Sequence, residues 1–298
     1  RRTACFSLLP PPEFTVKCGS LREPELLAAY DLTFDETDRL QAYSRIDPAQ
    51  AAQGEKWYLY GLLDECSGRF NGYTYADILN PEAVDEFIKI THEAYKRAVG
   101  EEFGKTVPAI FSDEPNYLRF CLKKFARDGE DAFLPFSGVF LREFSARNGY
   151  DILEKFPEIL WNLSSDAPSE TRYLYYRTLT ELAAGAFCDK IGAWCGENGL
   201  AFTGHVLEEP TLLSQTCAVG EAMRYYRGFT LPGIDMLCNN REFNTAKQAQ
   251  SAAHQFGREG VASELYGVTG WDFDFRGHKF QGDWQAALGV TLRVPHLS

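Results

Sequence analysis

The sequence predicts an α/β protein on the (β/α)8 TIM-barrel plan, truncated to about strands 3–8, with a small β-rich segment ahead of them. Three observations lead there. From Lys56 onward, short apolar runs alternate with long amphipathic stretches, the pattern of βα units on a parallel sheet. Nearly every such run ends in an acid or a histidine, as the reactive end of a barrel does. No glycine-rich phosphate loop follows any of them, which removes the commonest reason for an open doubly wound sheet.

Taken in order, residues 1–55 carry short apolar stretches, among them Phe14-Thr15-Val16-Lys17-Cys18 and Leu26-Leu27-Ala28-Ala29-Tyr30, separated by turn-rich polar segments. They read as strands of a small β subdomain. Residues 56–298 read as the partial barrel, with strands over 56–62, 107–112, 200–205, 233–237, 260–264 and 291–296. Helices are expected over 81–99, 136–148, 170–197, 244–256 and 281–288. Asn80 is a good N-cap with Pro81 at the first helical position, and Gly199 and Gly257 stand where helices end. Six strands fall two short of eight, so a homodimer covering the open edge is the expected way to protect it.

Composition narrows the function. At 298 residues and 45% hydrophobic the chain can bury a large core. A net charge of −12 repels phosphate backbones and argues against nucleic acid as a partner, whereas a neutral sugar is indifferent to that field. No run approaches the length of a membrane span, and the start at Arg1 lacks the apolar stretch of a secretory signal. The eight cysteines are scattered without C-x-x-C spacing and read as reduced and mostly buried, as in a cytoplasmic protein. A chain opening on Arg reads as a piece of a longer one, so secretion of the parent stays open.

Two strand ends carry the chemistry. Phe111-Ser112-Asp113-Glu114-Pro115 and Ala262-Ser263-Glu264-Leu265-Tyr266-Gly267 each present a carboxylate at the mouth of a loop. A pair of carboxyl groups is what glycosidic bond cleavage most often uses, one protonating the leaving oxygen and the other acting as base or nucleophile. Pro115 is expected to hold Glu114 extended, and Pro210 to constrain Glu209 likewise. Crowding by Asp113, Glu208 and Asp235 disfavours the charged form of Glu114, while Glu264 stays ionised.

These stretches, together with Asn80-Pro81-Glu82-Ala83-Val84, Thr203-Gly204-His205, Pro232-Gly233-Ile234-Asp235, Tyr266-Gly267-x-x-Gly270-Trp271 and Pro295-His296-Leu297-Ser298, resemble the barrel of bacterial glycoside hydrolases similar to the family 106 α-L-rhamnosidases. The resemblance runs from about Lys56 to the end. It implies a general acid at Glu114, a base at Glu264, and a β-rich insertion early in the barrel that matches residues 1–55. It also implies a calcium contact at Asp113, although no motif in the chain itself requires a cofactor.

The remaining candidates bind substrate. His205, Glu208, Asp235 and His296 lie at strand ends, and Tyr266 and Trp271 offer apolar faces for a pyranose. Lys279 is a candidate for sugar hydroxyls, though its i, i+4 spacing to Asp283 equally describes a surface ion pair. Trp57, Trp161 and Trp194 fall inside predicted elements and read as core. His92-Glu93 is half of an H-E-x-x-H zinc motif, with Lys96 in place of the second histidine. The expected function is glycoside hydrolysis of an oligosaccharide or glycoside; the alternatives are a non-catalytic carbohydrate-binding fragment and, more weakly, a metal-dependent sugar isomerase or lyase.

Overall fold

The computed structural model describes residues 1–18, 22–117, 129–237 and 241–296. Cys121, Cys238 and the Leu297-Ser298 end of the last motif lie outside them. The described strands are β1 (Arg2–Ser7), β2 (Glu25–Phe34), β3 (Leu40–Ile46), β4 (Glu55–Leu63), β5 (Ala109–Ser112), β6 (Ala132–Phe136), β7 (Ala201–Gly204), β8 (Leu231–Met236), β9 (Val261–Leu265) and β10 (Val290–Pro295). They form two five-stranded sheets, and the chain divides into two compact units, Arg1–Asn80 with Leu118–Leu179 and Pro81–Tyr117 with Thr180–Ser298.

The first unit holds an antiparallel sheet ordered β3-β2-β4-β1-β6. Its core is aromatic. Phe6 on β1 lies within ring-contact distance of Tyr30, Trp57, Phe156 and Trp161, at centroid separations of 5.5, 5.7, 6.1 and 5.5 Å. Trp57 and Trp161 are buried there, as expected of core residues. The stretch at Phe14, expected as a strand, is instead the last part of a helix, Pro11–Cys18, because proline is well tolerated in a first helical turn. Phe14 is its one buried side chain among those described, stacked on Tyr60 with centroids 4.0 Å apart.

The second unit holds a parallel sheet ordered β10-β9-β8-β7-β5, each strand beside its successor in the parallel series. The (β/α)8 barrel expectation is overturned here. The sheet has five parallel strands rather than six, it is open at β5 and β10, and the described residues contain no complete barrel. The strand expected over 56–62 to lead the parallel series is β4, the middle strand of the antiparallel sheet, paired with β1 and β2. Its run of six consecutive buried residues misled for a physical reason. A strand covered on both faces reads as one unbroken apolar run whether its neighbours are parallel or antiparallel.

Among the described residues, two helical stretches in this unit are π-helical turns. Ile88–His92 interrupts the helix expected over 81–99, and Ala184–Asp189 interrupts the one expected over 170–197. His92 closes the first of these turns. Its ring is buried edge-on between Phe87 and Trp194, at 5.2 and 5.1 Å, and neither ring nitrogen has a hydrogen-bond partner among the described residues. No helix among the described residues is long and apolar enough to cross a membrane.

Burial holds the His92 imidazole below its ordinary titration range, so the folded state keeps it neutral. An unfolded chain takes up that proton near pH 6.5, and the folded chain does not, so the stability His92 allows at neutral pH is lost as pH falls below about 6.5. Replacing His92 by Leu removes that loss. The urea midpoint of His92→Leu measured against the parent at pH 7 and pH 5 should improve at the lower pH; a constant difference would contradict the neutral assignment.

Candidate functional site

The carboxyl ends of the five parallel strands bring the sequence candidates to one edge. Parallel pairing sets Ser112 opposite Gly204, so the next residues on, Asp113 and His205, leave the sheet at the same level. Asp235 pairs with Glu264, and Val294 with Glu264 on its other side, which puts the two acids on one face. The backbone N–H of His205 donates to the carbonyl of Ser112 at 3.2 Å, and that of His296 to the carbonyl of Leu265 at 2.9 Å.

Glycines let these strands close up. A Cβ on Gly204 would lie 2.0 Å from the Ser112 carbonyl oxygen, and one on Gly233 would lie 2.2 Å from the Gly204 oxygen. Gly204 also has a φ of 136°, a conformation that side chains other than glycine's rarely adopt. Both positions therefore permit a backbone approach that fixes where Asp113, His205 and Asp235 emerge.

His205 is the centre of the cluster. Its buried ring places Nε2 2.8 Å from Glu264 Oε2 and 3.2 Å from Asp113 Oδ1, with Nδ1 3.2 Å from the Val206 carbonyl oxygen. The edge of the Phe111 ring system covers it at 5.6 Å. The second oxygen of Glu264 lies 3.8 Å from His296 Nε2. Glu264 is thus flanked by a histidine on each carboxylate oxygen, while one side of it remains open to solvent. Burial opposes a charge on His205, but the Glu264 hydrogen bond, Asp235, the Val206 carbonyl and Glu209 together outweigh it and raise its pKa.

The acids around it divide by environment. Burial first, then Glu264, Glu114 and Asp113, push Asp235 up to about 6 against the opposing effect of His205. Burial likewise pushes Glu209 up to about 7. Asp235 Oδ1 and Glu209 Oε1 are buried with no hydrogen-bond partner among the described residues. An oxygen so placed opposes ionisation, so both carboxyls titrate above the ordinary carboxylate range.

Several expectations are met only in part. Glu114 is not extended: its φ of 45° lies in the left-handed region, and its carbonyl accepts from Asn116 Nδ2 at 2.7 Å. Pro115 disfavours the right-handed helical conformation at the residue before it, and the chain escapes to the left-handed region instead. Glu208 also has a positive φ, 64°, and its charge lies near Cys217. The carboxyl beside His205 and Asp235 is that of Glu209, whose signal in the sequence was Pro210 directly after it. Tyr266 and Val268 complete the set: all four non-glycine residues of positive φ described in this unit follow the carboxyl ends of β5, β7 and β9. Such conformations cost roughly 1–3 kcal/mol each and collect at functional sites.

Trp271 is fully exposed on the loop after β9, and the Tyr266 ring packs on His278 at 4.6 Å. Lys279 is in an ion pair with Asp283 on an exposed helical face, the structural outcome its spacing equally described.

Asp113, His205 and Glu264 each offer one donor atom, all within 4.8 Å of one another. The set does not fit calcium. That ion takes six to eight oxygen ligands at 2.3–2.6 Å, whereas here a nitrogen lies between two carboxylates and is already hydrogen-bonded to one.

The site is an acid-rich carboxyl edge of an open parallel sheet with one buried histidine at its middle. No family model matches the sequence, and no curated protein matches it. Among solved structures, the fold is similar to that of a rhamnosidase from Novosphingobium sp. PP1Y, with a TM-score of 0.61 and 21% identity over 89% of this chain. The chain spans 25% of that protein's length.

Replacing Gly204 by Ala should cost at least about 2 kcal/mol, since the methyl group meets backbone in a strained conformation. Gly196→Ala, on a helix with nothing within 4 Å of the new carbon, should be neutral or stabilising. Urea unfolding of the two variants compares them directly, and equal midpoints would refute the close strand approach.

Proposed function

We propose that the chain carries a glycoside-hydrolysing site of rhamnosidase-like type. Glu114 acts as general acid toward the leaving oxygen, and Glu264 acts as base or nucleophile. The observation that carries this reading is Glu264 itself, partly open to solvent, hydrogen-bonded to His205 at 2.8 Å and with His296 on its other oxygen. A carboxylate fixed in that way is aimed, which is what attack on water or on an anomeric carbon requires. Glu114 supports the complementary role, being close enough to Asp235 to raise its pKa. Fold similarity to a rhamnosidase supports the class of reaction by analogy alone.

Asp113, Asp235 and His296 line the same edge as hydrogen-bonding groups for sugar hydroxyls, with His205 and Glu209 buried behind them. So acidic a lining favours a neutral glycoside over a uronic acid. Trp271 presents an uncovered ring for a pyranose to stack on, and it also favours a second reading, a carbohydrate-binding surface without turnover.

Product release separates the two. Glu114→Gln and Glu264→Gln should each lower turnover of an activated aryl rhamnoside by about 100-fold or more, with the fold intact by circular dichroism. Trp271→Ala should raise KM about 3–10-fold and leave kcat within a factor of two or so. Saturable glycan binding with no product from the parent chain would decide for the binding surface.

A further inference from the structure

We propose that the loop after β9 and the first turn of the helix Phe275–Ala287 carry a second sugar subsite, in which Phe275 extends the surface of Trp271 to a further neutral pyranose. The substrate is then a neutral oligosaccharide, not a single sugar on a small leaving group. Trp271 is fully exposed, Phe275 is 92% exposed and Val268 81%, three large apolar side chains on the segment that leaves the sheet after Leu265, the residue next to Glu264. Single exposed apolar residues are ordinary; a run of them adjoining a candidate site marks a surface that something covers.

The loop holds these rings outward. Residues 271, 273 and 275 alternate: Trp271 and Phe275 are exposed, whereas Phe273 turns onto the His278 ring at 4.7 Å, with Tyr266 on the same ring at 4.6 Å. Phe275 meets that ring only at its margin, with centroids 6.4 Å apart. A Cβ on Gly277 would lie 2.5 Å from the Phe273 ring, so the glycine makes room for it. The Phe273 N–H donates to the Gly270 carbonyl at 3.0 Å, Thr269 Oγ1 to the Tyr266 carbonyl at 2.8 Å, and the Gly277 N–H to Asp274 Oδ1 at 3.0 Å. A loop fixed in this way has met most of its ordering cost before a ligand arrives.

Chemistry and area choose the occupant. A pyranose has a face of C–H groups for an aromatic ring and a rim of hydroxyls, and Asp272, Asp274 and Arg276, exposed and next to the rings in sequence, supply acceptors and a donor. Charges of both signs so interleaved suit a neutral ligand, and the chain's net charge of −12 disfavours an anionic one. A protein partner would need more surface. Two rings at about 150–250 Å² each, even with Val268 added, fall below the roughly 800 Å² a side that a stable interface buries.

The subsite rests on the glycoside-binding edge proposed above, and binding tests it apart from turnover. Calorimetry on the Glu114→Gln chain, its fold checked by circular dichroism, compares methyl α-L-rhamnoside, rhamnobiose and rhamnotriose. The Kd should fall about 3–10-fold from the first to the second. Adding Phe275→Ala should cancel that gain and leave the Kd of methyl rhamnoside within about twofold, and Phe275→Tyr should restore the gain; the side chain is exposed, so the fold keeps in both. Equal affinities for the three ligands, no binding of any, or a gain indifferent to Phe275→Ala would overturn the subsite, whether or not the parent chain hydrolyses. A dimer of the parent in sedimentation that Phe275→Ala dissociates would give the rings to a second copy and overturn it too. A length-dependent gain lost in Phe275→Ala, in a parent that releases no product, would uphold the subsite and remove only the hydrolytic reading.

Discussion

One hydrogen bond, from His205 Nε2 to Glu264, joins the ends of two strands that are not neighbours in the sheet, since β8 runs between β7 and β9. What the second unit places at its carboxyl edge depends on that bond. It requires β7 to lie close against β5 and β8, which the glycines at 204 and 233 permit, and it requires the parallel register that sets Asp235 beside Glu264. Shift any of these strands by one residue and the acids turn to the opposite face.

Burial sorts the protons. A cluster of five acids around one buried point cannot be uniformly ionised. The two acids beside the histidine, half-buried Asp235 and buried Glu209, have pKa values pushed up to about 6 and about 7, burial being the largest cause for each. A site with anionic and protonated carboxyls side by side is what acid and base roles demand of chemically identical groups. Strained backbone at Glu114, Glu208, Tyr266 and Val268 surrounds it, a cost borne where the chain turns off the sheet.

Much of this was legible from residue order, and the misreadings have identifiable causes. Four parallel strands and their polar ends were found from apolar runs terminated by Asp, His or Glu, and β10 from a run ending in Pro295-His296, because a buried strand and its reactive tip leave a local mark. The place of β4 was not legible, since burial on both faces erases the alternation that would have marked an antiparallel neighbour. Nor was β6, Ala132–Phe136, whose partner β1 lies more than a hundred residues earlier, a pairing no local pattern encodes. At the site, Glu208 and Glu209 differ by one position; the chain takes a left-handed turn at Glu208, and the carboxyl buried beside His205 is that of Glu209. The bond from His205 to Glu264 spans 59 residues and could be expected only from a fold already known.

The account stands or falls on Glu264 and Glu114 addressing one sugar from this edge. A crystal structure of the Glu114→Gln variant with an intact aryl rhamnoside tests it most directly. The account predicts the anomeric carbon between positions 114 and 264, with Glu264 still bonded to His205 near 2.8 Å. A sugar bound elsewhere would contradict it.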